Sequence, residues 1–585
     1  MVLQETFMEV KIRFILLFCF MLSFKLWSQD VQFSRLPAHL QLFARDAQDS
    51  AVVDVKGTVL SPGHDTVSVE VLKDHKPWKI EKQPLEYDYD DRAAFHFKPK
   101  INAELTEYYV RVYVDGVLVA ARDSIVCGDV FLINGQSNSH PDDATITERN
   151  EFWRSFGKHT DLTDYDPADT TWGLSTPRGW CDDCNYAVGV WGFRLQKLIW
   201  ERYGLPSCII NGGSGGSSIS YNLPDSANHM ALNTTYGRLL YRATKAGVDQ
   251  SVKAVLWHQG ESDSNGDDAP LYHDRFTELR AAWKADYNPV QKIYVFQIRP
   301  GCGGDAQDYL REVQRQFPQS FNDVVLMSTC GLQGHDDCHY NTPGYEQMAD
   351  WIFRLIARDF YQSTDTVHIN PPDIQKAYYT DTNHDQIILQ FDGPVSWPDD
   401  TLNHALEDHI YIDGQSGYIA QGRDGDPNNE LILELTAPLS ATVVTYLPNQ
   451  YYNRPPGQTY QGPWIRNPRG VGALSFHEFP ITDVISNIEK EKPDRFNLFQ
   501  NYPNPFNPGT TISFTLHRSS QVKLVVFNIQ GQHVRTIVDK QLSAGSHQFH
   551  WDGTGHQGKD SASGVYCYRL VTGNQIQHKK MVLLR

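Results

Sequence analysis

Alternating apolar and polar positions dominate the first part of this 585-residue chain. Between residues 29 and 125, short apolar runs are separated by turn signals such as Ser61-Pro62-Gly63. A period of two at this spacing is typical of short strands that bury one face. The pattern predicts an N-terminal β-sandwich over residues 29–125.

A different pattern covers residues 126–362, where strand-length apolar runs alternate with helical stretches. The predicted strands lie at residues 130–133, 207–211, 254–257, 293–298 and 324–328, and the predicted helices at residues 191–203, 237–245, 272–285, 310–317 and 344–360. Such alternation predicts a three-layer α/β domain, with a parallel sheet covered by helices on both faces. The segment from 139 to 188 shows no such period, so we expect an irregular loop that overhangs the sheet.

Strand patterns return after this region. Residues 363–483 are predicted to form a second β-sandwich, the charged residues 484–495 a linker, and residues 496–585 a small Ig-like sandwich. The fold class is therefore multidomain, a central α/β domain flanked by β-sandwiches. The aromatic stretch at residues 451–464 has two interpretations, closing the preceding β domain or facing the active cleft.

The N-terminus has the order of a secretory signal peptide. Lys11 and Arg13 precede an apolar run at residues 14–24, and we place cleavage near Ser28, so that residues 1–28 are removed. The run is too short to span a bilayer, and no later segment is longer. We therefore expect a secreted or cell-surface protein with no integral membrane segment after processing.

The net charge limits the classes of partner, and the cysteine content predicts disulfides. The formal net charge of −18, from 52 Lys and Arg against 70 Asp and Glu, repels phosphate backbones and argues against a nucleic-acid partner. Loss of Cys19 leaves an even number of cysteines, which in an exported chain predicts disulfides of undetermined pairing. These cysteines are Cys127, Cys181, Cys184, Cys208, Cys302, Cys330, Cys338 and Cys567.

The first strand of the α/β region ends at Gly135-Gln136-Ser137-Asn138. Glycine permits a sharp turn there, which would place Ser137 at the carboxyl edge of the sheet, where open α/β sheets bind ligands. Ser137 is thus a candidate nucleophile. Because a serine hydroxyl is weakly nucleophilic, it needs a base, a group that orients the base, and donors for an oxyanion.

Three later segments supply these groups. Asp336 and His339 are three residues apart, so Asp336 can orient the imidazole while His339 accepts the serine proton. The glycine-rich run at residues 212–216 offers backbone N–H groups, and Gln259 adds an amide donor. Together with the N–H of Ser137 they would form an oxyanion hole.

These segments together resemble a known family. GQSN at residues 135–138, GGSSI at 215–219, QGES at 259–262 and D-x-x-H at 336–339 are similar in sequence and order to the SGNH hydrolases, in the branch of the sialate O-acetylesterases and acetylxylan esterases. The resemblance implies a flavodoxin-like sheet and no cofactor. It implies these roles: Ser137 nucleophile, His339 base, Asp336 its orienting carboxylate, Ser137, Gly216 and Gln259 oxyanion donors, and Glu261, Gly215 and Asn138 supporting residues.

Two positions depart from that branch. Ser139 stands where methionine is common, and Tyr221-Asn222 follow Ile219 where an acidic residue and tryptophan are frequent. The shape of the pocket and the preferred acyl sugar are therefore left open.

Each segment also has a simpler interpretation. GQSN alone is compatible with a plain strand-to-turn connection, and the glycine run with a phosphate-binding loop, although it lacks the P-loop lysine. A zinc site, with no metal otherwise expected, would draw on the cysteines and histidines of two segments. Its candidate ligands are Cys181, Cys184, His335, Cys338 and His339.

The C-terminal residues resemble a second family. The sequence NYPNPFNP at residues 501–508, followed by strand patterns and Trp551-Asp552-Gly553, is similar to the sorting domain that the type IX secretion system recognises. The resemblance implies that the secretion machinery is a partner and that the chain crosses the outer membrane. An ordinary carbohydrate-binding or structural sandwich is the alternative.

Taken together, the sequence predicts a secreted serine esterase that removes acetyl groups from sugar hydroxyls through an acetyl-Ser137 intermediate. Its expected substrate is an acetylated glycan. The alternative is a non-catalytic surface protein that binds carbohydrate on the same scaffold.

Overall fold

The structure is a computed structural model, and its described residues fall in two compact units that divide between residues 483 and 484. The predicted signal peptide and the predicted linker lie outside the described residues. The described ranges are 30–158, 165–179, 184–288, 290–336, 338–400, 404–449, 460–483, 496–501, 503–516, 519–530, 532–543, 545–555, 558–572 and 575–585.

Residues 30–125 form antiparallel sheets around their own core. Sheet β1-β4-β7, pair β3-β8 and path β6-β5-β9-β10 enclose it, and inward-facing valines such as Val67, Val69 and Val71 are at most 1% exposed. The alternation of β5 therefore reflects one buried and one solvated face. The strands are β1 (Val31–Arg35), β2 (Leu42–Ala44), β3 (Ser50–Val52), β4 (Val55–Val59), β5 (Thr66–Lys73), β6 (Lys76–Pro84), β7 (Ala93–Phe97), β8 (Lys100–Asn102), β9 (Tyr108–Val114) and β10 (Val117–Gly135).

Strand β10 belongs to two sheets. Its first part pairs antiparallel with β9 up to Ile125, and residues 129–135 then run parallel to two strands of the central sheet. The strand thus passes straight through residue 125, where the sequence places a domain boundary. Residues 130–133 of this second part are continuously apolar because both faces are buried, with Val130 and Leu132 in one core and Phe131 and Ile133 in the other.

The central sheet has the order β12-β11-β13-β10-β14-β15-β16. All neighbouring strands are parallel except the edge pair β11-β12. Both of those strands lie in the segment predicted to be irregular, so that prediction was wrong there: Trp153 and Trp172 are buried and add two strands to the edge. The strands are β11 (Trp153–Phe156), β12 (Trp172–Leu174), β13 (Ser207–Asn211), β14 (Ala254–His258), β15 (Lys292–Gln297) and β16 (Val324–Ser328).

Helices cover both faces of this sheet. Side chains of α2, α3 and α4 share one buried cluster with Val130 and Leu132, and those of α1 and α6 share the other with Phe131 and Ile133. The arrangement is a three-layer α/β domain, as the alternating pattern indicates. The helices are α1 (Val190–Tyr203), α2 (Thr235–Ala246), α3 (Tyr272–Asp286), α4 (Gln307–Arg315), α5 (Phe317–Ser320) and α6 (Thr342–Phe360).

The third module is a seven-stranded sheet of order β19-β22-β23-β17-β18-β21-β20. It belongs to the same compact unit as the central domain. Its strands are β17 (Ile374–Tyr379), β18 (Gln386–Phe391), β19 (Ile410–Ile412), β20 (Ile419–Asp424), β21 (Glu430–Leu435), β22 (Val443–Tyr446) and β23 (Phe476–Thr482).

The C-terminal unit is a separate β-sandwich. Sheets β24-β25-β28 and β27-β26-β29-β30 enclose one apolar core that includes Phe514, Val526, Trp551 and Tyr568. Its strands are β24 (Phe496–Leu498), β25 (Thr510–Leu516), β26 (Ser520–Asn528), β27 (His533–Leu542), β28 (Gly545–Trp551), β29 (Gly564–Thr572) and β30 (Gln575–Leu583).

The cysteines divide between disulfides and free thiols. Cys302 and Cys338 form a disulfide, and Cys184 is also disulfide-bonded. Cys127, Cys208 and Cys330 are free and buried, and Cys567 is free and partly exposed. A buried thiol packs as a small apolar side chain, so the expectation of disulfides from an even count holds for only part of the set.

Across the ranges that the structure describes, no helix combines the length and the apolar character needed to cross a membrane.

A buried carboxylate ties the first module to the central domain. Asp129, on β10, has a fully buried side chain that accepts hydrogen bonds from Arg45 at 2.7 and 3.0 Å and from the Tyr361 hydroxyl at 2.8 Å. Lys253 lies 3.1 Å from the same carboxylate. Two cations and one hydroxyl therefore compensate a charge whose burial alone would be costly.

We expect Asp129→Ala to lower the free energy of unfolding by about 3 kcal/mol, because it removes the buried carboxylate that Arg45 and Lys253 share. Urea unfolding measures the change. Glu434→Ala, which removes the surface pair of Glu434 with Arg423 at 3.0 Å, is the control and should cost under about 1 kcal/mol. Equal effects of the two substitutions would contradict a structural role for the buried carboxylate.

Candidate active site

The turn that carries Ser137 depends on one glycine. Gly135 ends β10 with φ of 141°, and a Cβ there would lie 2.1 Å from the backbone oxygen of His258. Only glycine fits between these neighbouring strands. The chain then makes a short 3₁₀ turn over Ser137–Ser139, in which the N–H of Ser139 donates to the Gln136 oxygen at 2.7 Å. This turn leaves Ser137 half-buried at the carboxyl edge of the sheet.

His339 reaches this serine from the connection between β16 and α6. Its Nε2 lies 2.9 Å from Ser137 Oγ, a hydrogen-bond distance. The Asp336 carboxylate accepts from the backbone N–H of His339 at 2.8 Å and of Cys338 at 3.1 Å, and the N–H of Asp336 donates to the His339 oxygen at 2.9 Å. The three-residue spacing thus closes a tight loop around Asp336. We call residues 335–339 the base loop.

The surroundings of His339 favour its neutral form. Burial lowers the pKa of His339 below its ordinary value of 6.5, and the charge of Asp336 opposes that effect. A neutral imidazole at pH 7 can accept a proton from the serine. The nearby carboxylate would then stabilise the imidazolium that forms.

Asn138 joins three loops at the site. Its side-chain nitrogen donates to Glu261 at 2.9 Å and to the backbone oxygen of Cys338 at 2.9 Å. Its side-chain oxygen accepts from the Tyr345 hydroxyl at 2.8 Å. One carboxamide therefore fixes the base loop beside the serine turn. The disulfide between Cys302 and Cys338 adds a covalent tether at the same point.

Glu261 is buried behind this network. It is 4% exposed, and burial raises its pKa to about 7. His258 is fully buried beside it, with Nε2 3.6 Å from the Glu261 carboxylate, and burial lowers the pKa of His258 to about 3. Burial therefore favours the uncharged form of both side chains.

The glycine-rich run lies against the strand that carries the nucleophile. The N–H of Ser214 donates to the Gly135 oxygen at 3.0 Å, and the Ser262 hydroxyl donates to the Gly216 oxygen at 3.0 Å. Gly215 and Gly216 are exposed, and Gly216 has φ of 65°. The roles assigned to these glycines in the oxyanion hole remain predictions.

The Gln259 side chain lies deeper in the protein than we would expect of a donor that faces the substrate. It is fully buried, and its side-chain nitrogen donates to Asp263 at 2.5 Å, to the Ser217 oxygen at 3.1 Å and to Gln136 at 3.3 Å. In this conformation internal acceptors take its N–H groups. Its role as an oxyanion donor also remains a prediction.

The disulfide bonds limit which cysteines could bind zinc in the alternative interpretation. Cys338 Sγ is bonded to Cys302, and Cys184 is disulfide-bonded, so neither offers a thiolate to a metal. Cys181 lies outside the described residues. Within the described ranges, no group of three or more potential ligands is arranged to hold a metal ion.

Several residues of the site were not singled out from sequence. Gln136 accepts from the N–H groups of Gly260 at 3.3 Å and Ser262 at 3.2 Å, and it lies within the GQSN segment that was recognised. His258 directly precedes the QGES segment, and this position next to a recognised motif is the sequence signal that could have identified it. Tyr345 and Trp191, which contact Asn138, lie on helices and carry no local signal at all.

Two segments of the chain match family models. Residues 127–358 match the family model for carbohydrate esterase, sialic acid-specific acetylesterase. Residues 503–575 match the model of the FlgD Ig-like domain. No protein with a curated description matches the chain. The first of these segments holds Ser137, Asp336 and His339.

Three solved structures align with the chain, and the first of them shows similarity of fold. A carbohydrate acetylesterase from Xanthomonas citri aligns with a TM-score of 0.52 at 17% identity, covering 76% of this chain and 99% of its own. A protein from Arabidopsis thaliana aligns with a TM-score of 0.33 at 21% identity, covering 40% of this chain and 99% of its own. NanS aligns with a TM-score of 0.30 at 14% identity over 40% of this chain and 99% of its own.

The chain is thus similar, over the segment that carries the candidate site, to sialic acid-specific carbohydrate acetylesterases.

We expect Ser137 to react with a fluorophosphonate probe at a rate set by His339. The rate should be constant near pH 7 and fall only below pH 6.5, because the pKa of His339 is lowered and the imidazole stays neutral until then. His339→Ala should slow labelling by about a thousandfold or more. Mass spectrometry of the labelled protein measures both effects.

Ser220→Ala, which changes an exposed serine near the site, should label like the wild type. Ser137→Ala should not label. Labelling that persists in Ser137→Ala, or a rate that is independent of pH down to 4, would contradict the assignment.

Proposed function

We propose that this protein is an exported carbohydrate O-acetylesterase of the SGNH type, which hydrolyses acetyl esters on sugar hydroxyls through an acetyl-serine intermediate. The observation that carries the proposal is the 2.9 Å contact between Ser137 Oγ and His339 Nε2, within the segment that matches the esterase family. A serine hydroxyl in contact with a neutral imidazole is the arrangement that acyl transfer requires.

Acylation follows from that contact. His339 Nε2 accepts the proton of Ser137 as its oxygen attacks the acetyl carbonyl, which gives a tetrahedral oxyanion. Asp336 stabilises the imidazolium. When the intermediate collapses, the ester bond to the sugar breaks and His339 returns its proton to the departing sugar oxygen. The sugar leaves with a free hydroxyl, and Ser137 carries the acetyl group.

Deacylation repeats these steps with water. His339 accepts a proton from the attacking water, and a second tetrahedral oxyanion forms at the acetyl carbon. Its collapse breaks the bond to Ser137 Oγ, which regains the proton from His339. Acetate is released, and the enzyme returns to its starting form without a metal or an organic cofactor.

In the proposal, the N–H groups of Ser137 and Gly216 donate to the oxyanion. A single such donor is typically worth about 3 kcal/mol of barrier. The sequence predicts that the Gln259 side chain also donates to the oxyanion. Its three internal acceptors suit it instead to holding neighbouring segments of the site together. Through Gln136 and the Ser217 oxygen it holds the two donor-bearing segments at a constant separation.

Acetyl release from a panel of acetylated glycans tests the esterase proposal. Wild type should release acetate from at least one member of the panel, and Ser137→Ala should lower kcat by about 10⁴-fold or more, since no other group can carry the acetyl intermediate. Binding of the same glycan by Ser137→Ala is the control for folding. Glycan binding without acetate release by the wild type would instead favour the non-catalytic carbohydrate-binding protein.

We further propose that the C-terminal unit directs export by the type IX secretion system. The NYPNPFNP segment and the match of residues 503–575 to an Ig-like domain support a small sandwich of that kind. The proposal places the mature protein at the cell surface or outside the cell, with the signal peptide taking it across the inner membrane.

Removal of residues 496–585 tests this role in a bacterium that has the secretion system. We expect the truncated chain to accumulate in the periplasm while the full chain reaches the surface or the medium, as immunoblots of the fractions measure. Because these residues form a separate unit, the truncated chain should keep its reactivity toward the fluorophosphonate probe. Surface display of the truncated chain would contradict the proposal.

A further inference from the structure

A residue of the third module contacts the base loop directly. Gln461 lies between β22 and β23, and its side-chain nitrogen donates to the backbone oxygen of His335 at 2.6 Å. His335 is the first residue of the base loop, four positions before His339. We propose that Gln461 is a positioning residue for His339, so that the third module completes the active site of the central domain.

Arg299 sets the orientation of the Gln461 side chain. One of its terminal nitrogens, Nη2, donates to the Gln461 side-chain oxygen at 3.0 Å and to the Tyr460 oxygen at 2.9 Å. Its other terminal nitrogen donates to the Leu332 oxygen at 2.6 Å. A guanidinium can only donate, so it holds the oxygen of the carboxamide and turns the nitrogen toward His335.

This contact is partly buried, and the side chains around it are largely buried. Arg299 is 2% exposed, and its guanidinium lies 4.9 Å from the ring centre of Trp464. The Trp464 indole N–H donates to the backbone oxygen of Gln461 at 3.0 Å, and the ring of Tyr460 packs 4.2 Å from that of His409. Gln461 is therefore held from both its backbone and its side chain while it donates to His335.

The base loop is therefore held at both ends. Gln461 holds the oxygen of His335, and Asn138 holds the oxygen of Cys338 at 2.9 Å. Between them the loop closes on itself through Asp336. Loss of the first tether removes one of the contacts that position His339 relative to Ser137, and small displacements at a catalytic group lower the rate steeply. Tyr460 and Trp464, which belong to the aromatic stretch at residues 451–464, thus help to support the base loop.

Gln461→Glu separates positioning from general stability. The carboxylate keeps the shape of the side chain and its hydrogen bond from Arg299, and it adds an attractive charge to that buried cation. It cannot donate to the His335 oxygen and repels it. We expect Gln461→Glu to lower kcat roughly tenfold or more with little change in KM, while Tm stays the same or rises.

Two further variants complete the test. Gln461→Met keeps the volume but loses both hydrogen bonds, and it should lower both kcat and Tm. Ser475→Ala is the matched control, because the Ser475 hydroxyl accepts from Arg311 at 2.9 Å across the same contact between modules and does not touch the base loop. It should lower Tm with kcat unchanged.

The kinetic test of this inference rests on the proposed function. A second measurement that needs no substrate therefore tests the position of the base loop directly. Hydrogen–deuterium exchange of the peptide that contains residues 335–339 should be faster in Gln461→Glu than in wild type and unchanged in Ser475→Ala. Absence of acetate release by the wild type would refute the esterase proposal alone. Wild-type kcat together with wild-type exchange in Gln461→Glu would overturn the positioning role, as would an equal fall of kcat in Ser475→Ala.

Discussion

The contact between Ser137 Oγ and His339 Nε2 is the interaction on which the proposed chemistry depends. It joins residues 202 positions apart, so no local preference of the chain can create it. The parallel sheet creates it by bringing the ends of β10 and β16 to one edge, and Gly135 allows the turn that presents the hydroxyl. Because the hydrogen bond itself contributes little to stability, the surrounding structure must maintain the distance between the two side chains.

Polar contacts between distant segments hold the site together. Asn138, Gln461 and Arg299 are each placed where their donors and acceptors meet backbone groups of the base loop or its neighbours. Each hydrogen bond that these groups make offsets part of the cost of burying them, so it favours the observed arrangement over its alternatives. The same requirement explains why a module outside the central α/β domain contributes to the site. Its segment supplies acceptors for Arg299 and a donor for His335.

The order of strands and helices in the central domain could be predicted from apolar periodicity, because β13, β14, β15 and β16 are buried on both faces and the helices between them are long enough to show their period. The edge strands β11 and β12 could not, since three or four residues around a single tryptophan carry too little pattern. Strand β10 was divided at residue 125 because its two halves have different patterns, although one continuous strand serves both sheets.

The sequence by itself determined which residue types are available for chemistry and which strand ends carry them, because a nucleophile, a base and a carboxylate are recognisable in short segments such as GQSN and D-x-x-H. Only the tertiary structure decided how they are held. That Gln259 points inward, that Asn138 bridges Glu261 and Cys338, and that Gln461 reaches His335 from 126 positions away depend on contacts between distant segments. Such contacts leave no periodic trace, because each involves one side chain whose partner is chosen by the packing of whole layers.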